Sequence, residues 1–182
     1  MNKQERQSRL QSFEREAMSH LDALLKTANR IARPLLDAED VVQETYLRAW
    51  KHFDSFEKGT NCRAWLFRIM FNVIKARSGV QSKRLEIPMD EEVEMENRPS
   101  NVVFFDPLKR IEGREVLEAA TRLSPDHREV LWLVTVEEFS YHEAAEILDT
   151  PVGTVMSRLH RARRELRKLL VTDSRVANGM EQ

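Results

Sequence analysis

The strongest constraint on the fold is an interruption in the middle of the chain, where the helical pattern of apolar residues stops. Apolar residues recur at three- and four-residue spacing on both sides, which is typical of amphipathic helices. From Gly79 to Pro107 this spacing is lost, and three prolines accompany a run of acidic residues. We therefore expect an all-α protein of two small helical domains, residues 8–79 and 107–171, joined by a flexible acidic linker over residues 80–106.

Charge is segregated along the chain, although the formal net charge is only -1. The stretch from Arg63 to Arg84 holds six basic residues and no acid, and the stretch from Val152 to Leu170 holds six basic residues and one acid. Between them, Glu86 to Asp106 holds seven acidic residues and one arginine. Two cationic segments separated by an anionic connector indicate surfaces for charged partners rather than random surface charge.

Composition excludes several other classes of protein. Hydrophobic residues make up 41% and charged residues 32% of the chain, which suits a soluble helical protein. No apolar run approaches the roughly 18 residues that span a bilayer, and the N-terminal segment is charged, so we expect a cytoplasmic protein without membrane insertion. The single cysteine, the scattered histidines and the lack of a phosphate loop or an HExxH motif predict no enzyme, no catalytic residues, no cofactor and no metal.

The first half of the chain predicts three helices. The first breaks near Pro34, the second follows the N-cap Asp37 and ends about Phe53, and the third runs from Thr60 or Asn61 to about Gly79. The side chains expected to face inward are Leu10, Phe13, Ala17, Leu21, Leu24, Ala28 and Ile31 in the first helix, Val42, Thr45, Ala49, Trp50 and Phe53 in the second, and Leu66, Ile69, Met70 and Val73 in the third.

The second half predicts about four helices, because four cap signals follow one another. These are Asp106 with Pro107, Ser124 with Pro125, the capping box of Ser140 and Glu143, and Thr150 with Pro151. Only a couple of residues around Asp149 separate the last two helices. A short helix, a tight turn and a basic helix form the plan of a helix-turn-helix.

The last helix is the first candidate for DNA binding. Its amphipathic spacing predicts an inward stripe of Val155, Leu159, Ala162, Leu166 and Leu169. Residues on its first turns would reach base edges or phosphates in the major groove, namely Thr154, Ser157, Arg158, His160, Arg161 and Arg164. A solvated amphipathic helix is the alternative. If about five cations meet phosphates, the logarithm of the binding constant should fall with the logarithm of salt at a slope of roughly -4 to -5.

The third helix is the second candidate. Arg68, Asn72 and Lys75 form one polar stripe at helical spacing, and Phe71 is one of three aromatic residues beside it, with Trp65 and Phe67. Basic charge interleaved with aromatic rings suits bases that have left the stack. The alternative is that the aromatic rings are ordinary core, which we favour for Trp65.

The second helix presents a different surface. Asp40, Gln43, Glu44 and Leu47 fall on one face, opposite its predicted apolar side. An acidic stripe beside a leucine can dock a basic partner helix. Taken alone, a solvated face with helix pairs such as Glu44 with Arg48 is the simpler reading.

Together, three segments resemble one family. "DAEDVVQETYLRAW", "RAWLFRIMFN" and "SYHEAAEILDTPVGTVMSRLHRARREL" are similar, in order and spacing, to the characteristic segments of extracytoplasmic-function (ECF) sigma factors of bacterial RNA polymerase, in the sigma-24-like branch of the sigma-70 family. The resemblance covers roughly Leu10 to Leu170. It implies a sigma-2 domain, a linker and a sigma-4 domain with the helix-turn-helix.

The resemblance also implies roles for these residues and the partners that they contact. Asp40, Gln43 and Glu44, with Leu47 beside them, match positions that bind core RNA polymerase. The −10 strand, single-stranded when the promoter opens, would be held by Asn72 with Arg68, Lys75 and Phe71. The duplex −35 element would be held by the last helix through the residues named above. An anti-sigma factor is expected as a further partner, and the free protein is expected to be a monomer. Met156 and Ala76 depart from the family pattern, so base preferences stay open.

Two other functions remain possible at this point. A dimeric helix-turn-helix regulator would bind a palindrome without polymerase, but would leave the basic and aromatic third helix unexplained. A pure interaction protein would bind acidic partners and show no sequence preference on DNA.

Overall fold

The structure, a computed structural model, describes residues 2–32, 35–57, 59–79 and 113–179. It contains α1 (Lys3–Ala17), α2 (Leu21–Ile31), α3 (Ala38–His52), α4 (Cys62–Ser78), α5 (Gly113–Thr121), α6 (Pro125–Thr135), α7 (Tyr141–Leu148) and α8 (Val152–Gly179). No strand occurs in these ranges, which confirms the all-α class. The predicted acidic linker, the predicted start at Asp106 and Pro107, and the predicted break at Pro34 lie outside the described residues.

The chain divides into two compact units. One is built on the helices of residues 2–79 and the other on those of residues 113–179, with the short segment Glu146–Asp149 grouped with the first. Among the described residues, no helix is both long enough and apolar enough to cross a membrane.

Local capping explains where the helices of the first unit begin and end. The Asp37 carboxylate accepts hydrogen bonds from the backbone amides of Glu39 and Asp40 at the start of α3. These bonds confirm the predicted N-cap Asp37. The Asn61 side chain accepts from the amide of Ala64, so Asn61, one of the two predicted starts of the third helix, is the N-cap of α4. Gly79 ends α4 with a φ of 63°, a left-handed conformation that glycine adopts without steric cost.

The predicted first helix is in fact two helices. A 3-10 turn, Met18–His20, separates α1 from α2, so the apolar stripe is interrupted rather than continuous. The exposed fraction of Leu10 is 38%, and Leu21 is half-buried. The predicted inward positions that are confirmed as buried are Phe13, Ala17, Leu24, Ala28 and Ile31.

The core of the first unit surrounds α4, which packs against α1, α2 and α3. Leu66, Phe67, Met70 and Phe71 are completely buried. Because three helices contact α4, its buried residues extend around about half of its circumference rather than along one narrow stripe. Ile69 lies at the edge of this arc and is only half-buried.

An aromatic cluster joins α1 to α3. The ring of Phe13 packs edge to face against Tyr46, Trp50 and Phe53, with centroid distances of 6.2, 5.3 and 5.1 Å. Trp50 is half-buried, and the guanidinium of Arg9 lies over its ring at 4.2 Å from the centroid. Edge-to-face contacts of this kind contribute about 0.5–1.5 kcal/mol each beyond the area that they bury.

The second unit contains α5 and α6 packed on α8, together with residues 141–145, the first part of α7. The Ser124 hydroxyl caps α6, and Ser140 and Glu143 form the predicted capping box of α7. The buried stripe of α8 is Val155, Leu159, Ala162, Leu166 and Leu170. The prediction of Leu169 was wrong by one residue, since Leu169 lies beside the stripe and is half-buried.

The turn between α7 and α8 is as short as predicted. Asp149 has a φ of 51°, and the amide of Thr150 donates to the carbonyl of Ala145 at 3.0 Å. The Pro151 carbonyl accepts the first helical bond, from Val155 at 3.2 Å, so α8 begins one residue later than predicted. It also continues past residue 171, where the predicted domain ended, to Gly179.

Candidate nucleic-acid and partner interfaces

The outer face of α3 combines acidic and apolar side chains. Asp40, Gln43 and Leu47 are exposed, and the exposed fraction of Leu47 is 59%, high for a large apolar residue. They lie on the side of the helix opposite the buried Thr45 and Ala49. This placement is what a docking surface requires, because its side chains are free of the core.

One residue of this face already has a partner. Arg48 Nε donates to Glu44 Oε1 at 2.7 Å, an ion pair within α3. The pair anticipated by the simpler reading therefore exists, and it partly neutralises Glu44. In the described part of the chain no ion pair reaches the Asp40 carboxylate, so Asp40 is the acid best placed to meet an external cation.

The polar stripe of α4 faces away from the core. Arg68 and Asn72 are exposed and Lys75 is half-buried, while Phe67 and Phe71 on the other side are completely buried. A ring with no exposed surface cannot stack on a base, so the expectation that Phe71 contacts the −10 strand is corrected: Phe71 belongs to the core. Trp65 packs on Phe56 with ring centroids 4.9 Å apart.

The exposed side of α8 carries four of the six predicted DNA contacts. Ser157, His160, Arg161 and Arg164 lie on the side opposite Val155 and Leu159, by the 100° step of the helix. His160 and Arg164 are exposed, and Ser157 and Arg161 are half-buried. The Ser157 hydroxyl donates to the Thr154 carbonyl at 3.1 Å, so Thr154 flanks this side. Among the described residues, neither Arg161 nor Arg164 is ion-paired.

Arg158 is different. Its Nη2 lies 2.7 Å from Oδ2 of Asp126 on α6, and its side chain is only 25% exposed. A second bond joins the same two helices: His127 Nδ1 lies 2.9 Å from Glu165 Oε2. Sequence reasoning did not find either pair, because helical spacing says nothing about which residues of two separate helices meet.

Among the described residues of the first unit, three groups have a pKa shifted by their surroundings, and all three belong to its packing. Burial, with the nearby Cys62, raises the pKa of Tyr46 to about 12, and the Tyr46 hydroxyl donates to the Ala17 carbonyl at 2.9 Å. Burial, with the nearby Glu16, raises the pKa of Cys62 to about 11. Burial and the charge of Arg63 lower the pKa of His20. These shifts come mainly from desolvation and mark structural groups rather than a reactive site.

In the part of the chain that the structure describes, no three His, Cys, Asp or Glu side chains gather in a way that could hold a metal ion. The outer sides of the described helices carry one acidic face, on α3, and two basic stripes, on α4 and α8.

Comparison with known proteins agrees with the division of the chain into two helical units. Residues 17–80 match the family "Sigma-70 region 2", and residues 113–166 match "Sigma-70, region 4". The chain is 38% identical over 138 residues to the ECF RNA polymerase sigma factor EcfG of Rhodopseudomonas palustris, covering 75% of this chain and 72% of that protein. It is 33% identical over 151 residues to the ECF RNA polymerase sigma-E factor of Escherichia coli K12, covering 76% and 77%.

The chain is also similar to solved structures, as two examples show. The sigma factor RpoE of Bartonella quintana, in complex with the anti-sigma factor NepR, superimposes with a TM-score of 0.66 at 32% identity, over 89% of this chain and 98% of that one. CnrH, in complex with the cytosolic domain of CnrY, gives a TM-score of 0.63 at 29% identity, over 90% of each chain.

Two helical units that match regions 2 and 4 define a sigma-70-type transcription initiation factor. Within that class, the chain belongs to the ECF RNA polymerase sigma factors. A dimeric helix-turn-helix regulator is not favoured, because it would leave the match over residues 17–80 unexplained.

Proposed function

We propose that this chain is an alternative sigma factor that binds core RNA polymerase, directs it to promoters through their −10 and −35 elements, and aids promoter opening. The observation that carries the proposal is the placement of two basic stripes, on α4 and α8, on the outer sides of two separate units. Phosphoryl transfer would belong to the polymerase, and the protein would act in the cytoplasm, as a monomer when free.

The outer face of α3 would dock on a basic helix of the polymerase. Asp40 supplies charge and Leu47 supplies apolar area, and both are exposed. Asp40→Arg should abolish co-purification with core polymerase, because like charges directly opposed at an interface cost several kcal/mol. Glu14→Arg is the matched control: Glu14 is an exposed acid on a different helix, α1. Retained core binding by Asp40→Arg would refute this docking surface.

The stripe on α4 would hold the unpaired −10 strand. Asn72 offers both a donor and an acceptor to a base edge, and Arg68 and Lys75 beside it offer charge to phosphates. Initiation from genomic promoter fragments by purified core polymerase tests this role. Asn72→Ala should abolish initiation while core binding persists. Asn29→Ala is the control, since the Asn29 amide only donates to the Leu25 carbonyl of its own helix, at 2.9 Å.

The stripe on α8 would hold the −35 duplex. Ser157, His160 and Arg161 would face the groove, with Arg164 and Lys168 further along the helix. If Arg161, Arg164 and Lys168 each neutralise one phosphate, the logarithm of the binding constant falls with the logarithm of salt at a slope of about -2.7. This slope is shallower than the sequence alone predicts, and the pairing of Arg158 with Asp126 accounts for about 0.9 of the difference.

An anti-sigma factor is a further proposed partner. The RpoE and CnrH structures superimposed above were both solved as complexes, one with an anti-sigma factor and one with a cytosolic domain. A partner that covers both the α3 face and the two basic stripes would block every step proposed here. Addition of such a partner should abolish both core binding and initiation.

A further inference from the structure

The first turn of α6 is tied to α8 at two points. Asp126 bonds to Arg158 at 2.7 Å, and the neighbouring His127 bonds to Glu165 at 2.9 Å. The two α8 residues are seven apart, so they lie two helical turns, or about 10 Å, from each other along the axis. They point to nearly the same side of α8, because seven residues complete almost two full turns.

Two such ties resist rotation of α8 about its own axis. The apolar stripe of α8 packs against its neighbours, but apolar contacts are non-directional. Hydrogen bonds and ion pairs between side chains have definite distances and angles. Arg158 and Glu165 therefore fix the rotation of the helix more sharply than the leucines can.

The rotation of α8 decides whether its DNA-facing side chains are in register with the bases. Side-chain ends lie about 5–6 Å from a helix axis, so a rotation of about 20° moves them by roughly 2 Å. That displacement exceeds the tolerance of a hydrogen bond to a base edge, whose length varies over only about 0.5 Å. A small rotational error would weaken contacts at several base pairs together.

We infer that Asp126 and Arg158 are positioning residues for −35 recognition: their ion pair sets the rotation of α8, so that Ser157, Arg161 and Arg164 read the duplex while Arg158 itself does not. This inference rests on the proposed function of α8. It replaces the sequence-based expectation that Arg158 contacts DNA. To reach a base, Arg158 would have to leave Asp126, and the three-quarters of its side chain that are covered would have to emerge.

The test uses the full-length chain with core polymerase on a promoter pool whose upstream element is randomised. Initiated transcripts are sequenced to give the base preference at every position. Asp126→Asn and Arg158→Met should each weaken the preferences at all positions together, by about twofold or more, which is where the range of coupling between residues in contact begins. The double variant should be no worse than either single variant. The reversed pair, Asp126→Arg with Arg158→Asp, should recover part of the loss.

Controls separate this effect from unfolding and from lost charge. Glu115→Gln removes an exposed carboxylate from α5 and should change nothing. The salt slope of −35 binding should stay the same in Arg158→Met, whereas loss of a phosphate contact would make it shallower by about 0.9. Thermal unfolding of each variant shows that the second unit is folded at the assay temperature.

Distinct results would overturn the inference. If Arg158→Met erases the preference at one base pair and Asp126→Asn has no effect, Arg158 reads that base directly. A shallower salt slope in Arg158→Met would make it a phosphate contact. If the unmodified chain initiates from no member of the pool, the proposed sigma function fails, and this inference fails with it.

Discussion

Phe71 and Asn72 are neighbours in sequence that point to different sides of α4. One residue advances a helix by about 100°, and the consequence is that Phe71 is completely buried while Asn72 is exposed. Substituting each in turn should therefore separate the stability of the first unit from recognition of the −10 strand.

The cost of Phe71→Leu follows from burial. Leucine has three fewer side-chain carbons, and at about 0.8 kcal/mol for each buried carbon the first unit loses roughly 2 kcal/mol. For a unit of this size, each kcal/mol lowers the melting temperature by about 4–8 °C. Asn72→Ala removes an exposed side chain from a helix, so its effect on stability should stay within about 0.5 kcal/mol.

The assay exploits the three tryptophans of the chain. Trp50 and Trp65 lie in the first unit and Trp132 lies in the second, so urea unfolding followed by fluorescence in a Trp132→Phe background reports on the first unit alone. Initiation is measured in the natural background, well below the melting temperature.

We expect Phe71→Leu to unfold at lower urea yet initiate normally once folded, and Asn72→Ala to unfold normally yet fail to initiate. A folded Phe71→Leu protein that binds core polymerase but cannot open a promoter would refute the assignment of Phe71 to the core alone.

Three further predictions concern single contacts. Arg9→Met removes the bonds to Asp54 and to the Trp50 carbonyl, at 2.8 and 2.7 Å. It should lower the free energy of unfolding of the first unit, measured in urea, by about 1–3 kcal/mol. Asp54→Asn changes an exposed site and should lower it by at most about 1 kcal/mol. The pKa of Cys62 rises from 9.0 to about 11 on folding, so between these pH values the folded chain keeps a proton that the unfolded chain has released. The free energy of unfolding should therefore fall as pH rises from 9.0 towards 11, and should fall less in Cys62→Ala. An equal fall with pH in both proteins would contradict this. Arg164→Met should make the salt slope of −35 binding shallower by about 0.9, and an unchanged slope would remove Arg164 from the interface.

Local features of the fold were predictable because their causes are local. The caps Asp37, Asn61, Ser124 and Ser140 act on amides two or three residues away, so a short stretch of sequence contains the whole interaction. The outward faces of α3, α4 and α8 were predictable for a similar reason. Charged side chains at helical spacing share one side of a helix, and that side faces solvent because burying unpaired charge is costly.

Features that depend on packing between helices were not predictable from spacing. Phe71 looked available for stacking because one buried stripe needs fewer aromatic rings, and only the approach of three helices to α4 explains the extra burial. The 3-10 turn at Met18–His20 interrupts a stripe that is continuous in sequence. Arg158 looked like one more free cation of a basic helix, since its partner Asp126 lies 32 residues earlier in the chain.

The buried thiol at the start of α4 can report when the first unit opens. Cys62 is the only cysteine and is 7% exposed, and a pulse of alkylating reagent therefore marks only molecules in which that region has opened. The second unit carries no cysteine and stays silent. Any molecule that binds the folded first unit, and does not bind its unfolded form, must slow this labelling, and a tighter binder slows it more. A mass spectrum after a timed pulse would thus register capture of the sigma-2 half without a dye, a tag or a promoter.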